Sequence, residues 1–274
     1  MVNDYNSCLL ILRQFCLTLF IDNLTGSGIT GRIARIISYI NKYLHDNNIN
    51  LDDITHIYIK VTEIPEMNSI FTECVSPDKI ININTSNNPP LIYYYNIFED
   101  NNFAIYSKIS KLINFNTIAD SINSSCYNLG IHIRLTDMNR WYWDAYGNIY
   151  FQDYITTIDN YLLNNNNCKT IFLASDNLES HENIINHLTN LNVSATNIHY
   201  HNNKLISNTA INDQFMEYQQ KMFSNKLFFI EVMRDVFELA KCKHLIFRTS
   251  NVANLAILLS DSLKDDNITL INKK

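Results

Sequence analysis

The chain has 274 residues, of which 46% are hydrophobic, so it is long enough to bury the cores of two domains. Its formal net charge is −6 and its pI is about 5.7. This acidic balance argues against a general nucleic-acid binder, because the affinity of such proteins comes from Lys and Arg side chains that neutralise phosphates. A local basic site is still compatible with it.

The six cysteines are scattered, with no C-x-x-C pair and no Cys/His cluster at the spacing of a zinc site. We therefore expect neither a disulfide framework nor a metal site. Reduced core thiols are expected instead. The compartment stays open, with a soluble cytoplasmic protein favoured because no clear signal peptide is seen. The cysteines are Cys8, Cys16, Cys74, Cys126, Cys168 and Cys242.

Residues 8–21 are apolar but include Arg13 and Gln14, and they are too few to span a bilayer. They also lack the basic start and cleavage site of a signal peptide. We interpret them as the entry into a buried strand, with a membrane anchor as the less favoured alternative. A glycine turn, a helical apolar repeat over residues 33–44 and a strand at residues 56–61 follow, which together predict a βαβ unit.

The glycine turn, "GSGITGR", is a weak signal by itself, because many turns before helices need glycine. It does not match the dinucleotide fingerprint, which requires an acidic residue at the end of the second strand. Lys60 and Val61 stand at that point. A nicotinamide-dependent enzyme is therefore disfavoured.

Residues 62–125 have little regular pattern beyond a loop around Pro89 and Pro90 and a helix from about Ile105 to Leu112. We place a domain boundary near Ser124. This predicts an N-terminal domain of residues 1–124 and a C-terminal domain of residues 125–274.

The second half alternates strand and helix patterns, which is typical of a parallel α/β sheet with ligands at the carboxyl ends of its strands. The predicted strands are residues 130–135, 170–175, 196–201 and 244–248. The predicted helices are residues 151–165, 179–191, 226–242 and 251–263.

Residues 130–137, "GIHIRLTD", place His132 and Arg134 on one face of a strand whose other face is apolar. An imidazole and a cation on a sheet face need water, an anionic partner or a ligand, because an unpaired buried charge is costly. A cleft provides all three. Arg134 can hold a phosphate bidentately, although a plain ion pair with Asp137 is the simpler alternative.

Polar residues end three of the predicted strands, and the carboxyl ends of such strands face one crevice. The last group precedes an apolar helix, so its hydroxyls and backbone N–H groups can bind an anion. A plain helix cap is the alternative. The three groups are His132, Arg134 and Asp137; Ser175, Asp176 and Asn177; and Arg248, Thr249, Ser250 and Asn251.

The motifs at these strand ends resemble those of one enzyme family. "GIHIRLTD" resembles the G-V-H-V-R-R-T-D motif of α1,6-fucosyltransferases and their nodulation relatives, and the H-x-R motif of protein O-fucosyltransferases. "IFLASDN" is similar to their A-T-D-D or A-T-D-S strand end. "DVFELAKCKHLIFRTSNVANLAILLS" resembles their closing D-x-x-x-L to S-S segment, and "TGSGITGRIARIISYINKYL" their N-terminal glycine loop and helix.

This resemblance implies a GT-B fold, in which two Rossmann-like domains enclose a cleft. It also implies GDP-fucose as the donor substrate, no cofactor or metal, and a glycan or glycoprotein as the acceptor. Arg134 would contact the β-phosphate, His132 the ribose or phosphate, and Asp235 the guanine. The residues that the resemblance places at the donor are Gly28, His132, Arg134, Asp176, Asp235, Thr249, Ser250 and Asn251.

The sequence departs from the family at Leu135 and Asn251, where α1,6-fucosyltransferases have a second Arg and a second Ser. Asp137 and Asp144 are the candidate catalytic bases, although a solvated loop charge is the simpler interpretation of Asp144. The aromatic side chains near Asp144 can stack on a sugar or pack between domains. They are Trp141, Tyr142, Trp143 and Tyr146.

Asp235 lies beside the apolar stripe of its helix. Its carboxylate can accept two hydrogen bonds from one guanine, one from N1–H and one from the exocyclic amine. A surface pair with Arg234 or Lys241 is the alternative. Two further functions stay open. One is transfer from a different nucleotide sugar, and the other is non-catalytic binding of a glycan or nucleotide by the same fold.

Overall fold

The computed structural model describes residues 15–22, 29–61, 65–72, 79–84, 101–116, 126–135, 150–176, 178–201 and 226–271. It confirms the predicted α/β class, because two parallel sheets are connected and flanked by helices. The predicted division at residue 124 lies outside the described residues. That boundary stays a prediction.

The N-terminal sheet has three parallel strands in the order β2-β1-β3. They are β1 (Phe15–Asp22), β2 (Ile54–Val61) and β3 (Lys79–Asn84). Helix α1 (Ile29–Asp46) connects β1 to β2, so the predicted βαβ unit is confirmed. The sequence did not predict β3, because "KIININ" mixes apolar residues with asparagine and carries little strand signal.

The C-terminal sheet has five parallel strands in the order β6-β5-β4-β7-β8. Numbered within this half, the order is the 3-2-1-4-5 arrangement of doubly wound sheets, and it reverses direction between β4 and β7. The strands are β4 (Leu129–Ile133), β5 (Ile171–Ser175), β6 (Ile198–His199), β7 (His244–Phe247) and β8 (Ile268–Leu270). Strand β8 was not predicted, since three residues carry no period.

The predicted helices of the second half are confirmed. They are α3 (Phe151–Asn164), α4 (Leu178–Asn190), α5 (Lys226–Ala240) and α6 (Asn251–Leu259), and α2 (Phe103–Leu112) precedes them in the chain. Helix α6 ends four residues earlier than predicted. There the Ser260 hydroxyl accepts hydrogen bonds from the backbone N–H groups of Ser262 and Leu263, and so stabilises a turn.

Strand β4 is buried along its whole length because both faces of the C-terminal sheet are covered. Ile131 and Ile133 face a core that α3 and α4 complete. The opposite face packs against α5 and α6 in a core that continues into the N-terminal sheet. A Cβ at Gly130 would lie 2.7 Å from the Sγ of Cys242, so only glycine lets this part of the chain approach β4 so closely.

The two halves also meet through side chains. The hydroxyl of Ser107 on α2 donates to the backbone carbonyl of Leu258 on α6 at 2.9 Å, and Lys111 pairs with Asp261. Within the described ranges, no helix is long and apolar enough to cross a membrane. Residues 15–22 of the apolar N-terminal run form β1, as the strand interpretation predicted.

Candidate functional site

His132 and Ser250 meet at the point where the strand order of the C-terminal sheet reverses. His132 lies near the end of β4, and Ser250 lies between β7 and α6. The Nδ1 of His132 and the Oγ of Ser250 are 3.3 Å apart. In open α/β sheets the carboxyl strand ends at such a switch point form the usual ligand crevice. The predicted convergence of these two strand ends is therefore confirmed.

Ser250 caps helix α6, as the simpler of the two sequence interpretations predicted. Its backbone is extended, with φ −155° and ψ 153°, and its hydroxyl accepts a hydrogen bond from the N–H of Ala253 at 3.1 Å. The N–H of Asn254 donates to the Ser250 carbonyl at 2.9 Å. The first-turn N–H groups of Asn251 and Val252 have no intrahelical acceptor and lie at the positive end of the helix dipole. A cap and an anion site are thus compatible.

Arg134 follows directly after β4, and two neighbouring elements hold it. Its Nε lies 3.3 Å from Oδ2 of Asp176, just beyond the end of β5. The other Asp176 oxygen accepts from the backbone N–H of Leu135 at 3.1 Å. The backbone N–H of Arg134 donates to the hydroxyl of Tyr154 on α3 at 3.2 Å. The Arg134 side chain is 28% exposed, so a fixed guanidinium is accessible to solvent.

The described carboxylate partner of Arg134 is Asp176, whereas the sequence interpretation considered Asp137. Parallel strands β4 and β5 are neighbours in the sheet, so their carboxyl ends lie side by side although Ile133 and Ser175 are far apart in the sequence. Sequence reasoning also missed Tyr154. Its position in the apolar repeat of α3 is typical of a core residue, and only the backbone of β4 shows what its hydroxyl binds.

His132 is only 4% exposed and lies beneath the first turn of α6. The sequence suggested an imidazole open to a cleft, but the helix that follows β7 covers this face. Burial and, as the smaller cause, the positive charge of Arg134 together lower the pKa of His132 to about 3. The imidazole is therefore neutral at physiological pH, and Arg134 is the cation of the pair.

Two more polar residues follow β7. The Oγ1 of Thr249 is buried and has no hydrogen-bond partner among the described residues, so a ligand hydrogen bond could satisfy it. Arg248 is 2% exposed, and its charge acts on the hydroxyl of Tyr154. Burial raises the pKa of Tyr154 well above its usual range, so that hydroxyl stays neutral.

Asp235 lies partly buried on α5, next to the buried stripe that includes Phe229, Met233 and Val236, as predicted. Its contact with guanine stays a prediction. Gly28, Asp137, Asp144 and Asn177 lie outside the described residues, as do the aromatic side chains of residues 141–146. Within the described part of the chain, no group of three His, Cys, Asp or Glu residues is placed to hold a metal ion.

No family model and no curated protein matches the chain. Solved structures do. Fucosyltransferase NodZ from Bradyrhizobium is 14% identical, with 88% of this chain and 92% of that chain covered and a TM-score of 0.46. A mutant of FUT1 from Arabidopsis thaliana in complex with GDP is 11% identical, with 94% and 70% covered and a TM-score of 0.48.

POFUT1 in complex with GDP-fucose is 8% identical, with 96% of this chain and 99% of that chain covered and a TM-score of 0.47. All three solved structures are fucosyltransferases.

Proposed function

We propose that the chain is an inverting glycosyltransferase that transfers fucose from GDP-fucose to a hydroxyl group of a glycan or glycoprotein. The observation that carries the proposal is the meeting of motif residues at the switch point. His132 lies 3.3 Å from Ser250, and Arg134 lies 3.3 Å from Asp176. These residues belong to three of the four segments in which the sequence resembles fucosyltransferases.

The diphosphate of the donor would bind between Arg134 and the first turn of α6. The guanidinium carries a full positive charge on a side chain that Asp176 orients. The N–H groups of Asn251 and Val252 point along a helix dipole that favours anions. The buried hydroxyl of Thr249 adds a third kind of donor at the same helix end. Such a set recognises a diphosphate more readily than a neutral ligand.

The same groups would accelerate the chemical step. When the bond between the anomeric carbon and the diphosphate oxygen breaks, negative charge grows on that oxygen and positive charge grows on the sugar. A fixed guanidinium and helix N–H donors stabilise the growing negative charge, which is worth several kcal/mol in a preorganised site. We propose that these groups neutralise the leaving diphosphate without a metal ion or cofactor. Turnover that persists in excess EDTA is the expected result.

His132 would act as a neutral, fixed group. The Ser250 hydroxyl accepts from Ala253, so its own proton can be donated to Nδ1 of His132. The imidazole proton then lies on Nε2, which can donate to the ribose or phosphate of the donor. A second cation at this position is disfavoured, because burial and Arg134 both lower the pKa of His132.

The acceptor hydroxyl must lose a proton as it attacks. Asp137 and Asp144 are the proposed bases, since both follow β4 in the chain. Asp176 is less suited to that role, because its two carboxylate oxygens already contact Arg134 and the N–H of Leu135. We assign Asp176 to the positioning of Arg134.

A nucleotide competition measurement tests the donor. Because a ligand that binds the native state raises its melting temperature, GDP should raise it at lower concentrations than UDP, dTDP or ADP. GDP-fucose should then be hydrolysed, or its fucose transferred to a panel of glycan acceptors, with release of GDP. A preference for UDP or dTDP would replace GDP-fucose by a different nucleotide sugar.

A non-catalytic binding protein is the second candidate, and Leu135 favours it, because α1,6-fucosyltransferases have a second Arg there. GDP binding with no turnover on any acceptor would support this candidate. Leu135→Arg is the informative variant. If it creates turnover in a chain that otherwise only binds GDP, the fold has kept the donor site and lost its second cation.

A further inference from the structure

A second polar pocket lies far along the C-terminal sheet from the switch point. It encloses about 310 Å³ and is lined by Tyr127, Phe172, residues 198–201 and Glu238. Phe172 is the second residue of β5, and Tyr127 precedes β4, so the pocket lies toward the amino ends of these strands. Asp176 is four residues further along the chain, about 13 Å in an extended strand. We call this space the Glu238 pocket.

Glu238 places an acceptor inside the pocket. Its side chain is 2% exposed, burial raises the pKa of its carboxyl group, and the hydroxyl of Tyr127 lies close enough to offset part of that shift. The Nζ of Lys241 is 3.9 Å from Oε2, beyond hydrogen-bond distance. Among the described residues, Oε2 has no hydrogen-bond partner. Buried polar atoms are nearly always paired, so this oxygen indicates a missing ligand or water.

A second unpaired atom belongs to His201, which also lines the pocket. The Nε2 of His201 is buried and has no hydrogen-bond partner within the described ranges. Burial lowers the pKa of His201, as does the charge of Arg234, so this nitrogen belongs to a neutral imidazole. The pocket thus offers two separated polar atoms, one on α5 and one beyond the end of β6, that a single ligand could bridge.

The walls between these atoms are aromatic. The rings of Tyr127 and Phe172 lie 5.4 Å apart, and the imidazole of His201 meets Phe172 edge-on at 5.5 Å. Tyr200 is 42% exposed at the rim, where its ring stands against His181. An aromatic rim with a carboxylate below it suits a ring that has apolar C–H faces and hydroxyl groups at its edge.

The charged side chains around the Glu238 pocket limit the class of ligand that it can bind. The carboxylate of Glu238 repels an anion such as a phosphate. Lys241 lies 3.9 Å from that carboxylate, and Arg234 is close enough to act on His201, so a cation is disfavoured as well. A neutral ligand whose hydroxyl groups donate to Glu238 and bond with His201 satisfies both unpaired atoms.

We propose that the Glu238 pocket binds a neutral monosaccharide unit, with sugar hydroxyl groups on Glu238 and His201 and the sugar ring against Tyr200. This site is separate from the proposed donor site and does not depend on which nucleotide sugar that site accepts. On a chain that modifies glycans, such a pocket would hold part of a carbohydrate away from the reacting centre.

The test titrates the full chain with free galactose, with fucose and with galacturonate, by calorimetry and by nuclear magnetic resonance of the protein. GDP is present at saturation to fill the nucleotide part of the donor site, and the Glu238 and Tyr200 variants distinguish a sugar bound in the Glu238 pocket from one bound beside GDP. Galactose or fucose should bind, whereas galacturonate, which adds a carboxylate to galactose, should bind at least about tenfold more weakly. A protein that binds none of the three holds only water in the pocket, and the proposal is then wrong.

Variants then locate the binding. Glu238→Gln keeps the shape of the side chain and replaces an anionic acceptor by a neutral amide, so sugar affinity should fall about tenfold. Tyr200→Ala acts at the exposed rim and should weaken sugar binding without disturbing the buried carboxylate. Glu179→Gln, at an exposed position on α4, is the matched control and should bind as the natural chain does.

Sugar affinity that is unchanged in both Glu238→Gln and Tyr200→Ala would overturn the proposal. So would a loss of GDP affinity in Glu238→Gln, because the pocket would then belong to the nucleotide base. Failure of the chain to use GDP-fucose would leave these titrations unaffected, which separates this inference from the proposed function.

Discussion

Strand β2 of the N-terminal sheet exposes polar side chains to solvent, whereas strand β4 of the C-terminal sheet buries its polar side chain. In β2 of the N-terminal sheet, Ile57 and Ile59 are buried while His56 and Lys60 are exposed. In β4 of the C-terminal sheet, all five residues are buried, and His132 is one of them. An alternation of apolar and polar residues therefore means a solvated face in one sheet and a covered polar site in the other.

The difference follows from what covers each strand. Strand β4 is central in a sheet with helices on both faces, so a polar side chain there must find a partner inside the protein. Strand β2 is at the end of the N-terminal strand order and leaves Lys60 to solvent. Polar residues on a strand thus indicate a site only when both faces of the sheet are covered.

The largest difference in activity is expected between the loss of Arg134, which follows β4, and the loss of Lys60, which lies on β2. Arg134→Ala should lower kcat for fucose transfer by about 10²–10³-fold, the usual cost of removing one preorganised donor from a developing anion. Lys60→Ala should leave kcat unchanged. Release of GDP from GDP-fucose in the presence of acceptor measures both. Equal activity of the two variants would remove Arg134 from the proposed mechanism.

The second contrast is between a buried and an exposed histidine. Because the pKa of His132 is lowered to about 3, unfolded chains bind a proton near pH 6.5 while folded chains do not. This neutral histidine therefore stabilises the fold fully above pH 6.5 and loses that contribution as the pH falls towards 3, by about 1.4 kcal/mol per pH unit.

Urea unfolding of the natural chain and of His132→Gln at several pH values isolates this effect. The difference in their free energies of unfolding should shrink as the pH falls from 6.5 to 5. His56→Gln, at an exposed position of β2, should show a difference that does not change with pH. A pH-independent difference for His132→Gln would mean that folding does not shift the pKa of this imidazole.

The third prediction concerns α5, which packs against both halves of the molecule. If Asp235 accepts two hydrogen bonds from guanine, Asp235→Asn should weaken GDP binding by about 1.5–3 kcal/mol with little change in folding stability. Calorimetric titration with GDP measures this. Asp266→Asn, at an exposed position before β8, is the matched control. Unchanged GDP affinity in Asp235→Asn would mean that this carboxylate does not contact guanine.

The smallest effect contrasts two helix caps. Ser250 caps the nine-residue α6, and Asn50 caps a three-residue 3₁₀ helix in the N-terminal half, each with a side-chain oxygen 3.1 Å from a backbone nitrogen. Ser250→Ala should cost about 1 kcal/mol of unfolding free energy. Asn50→Ala should cost about 0.5 kcal/mol, the low end of the range for such caps, since fewer residues depend on it. Thermal or urea unfolding compares them, and equal costs would contradict the difference.

Local patterns in the sequence were enough to predict most of the fold. The helical repeat of α1 and the strand–helix alternation after residue 130 have long, strong periods, and the structure places elements at all of them. Strands β3 and β8 were not predicted, because β3 is rich in asparagine and β8 has only three residues. The motif residues His132, Arg134 and Ser250 were also found from sequence, since polar residues at the ends of apolar strands stand out.

The tertiary structure alone decided how those residues work. That Arg134 pairs with Asp176, that Tyr154 holds the backbone of Arg134, and that α6 covers His132 all depend on which strands are neighbours in the sheet. Strand order and register are set by packing between segments far apart in the chain, which no local pattern records. The Glu238 pocket is of the same kind, because Tyr127, Phe172 and Glu238 come together only when α5 folds onto the sheet.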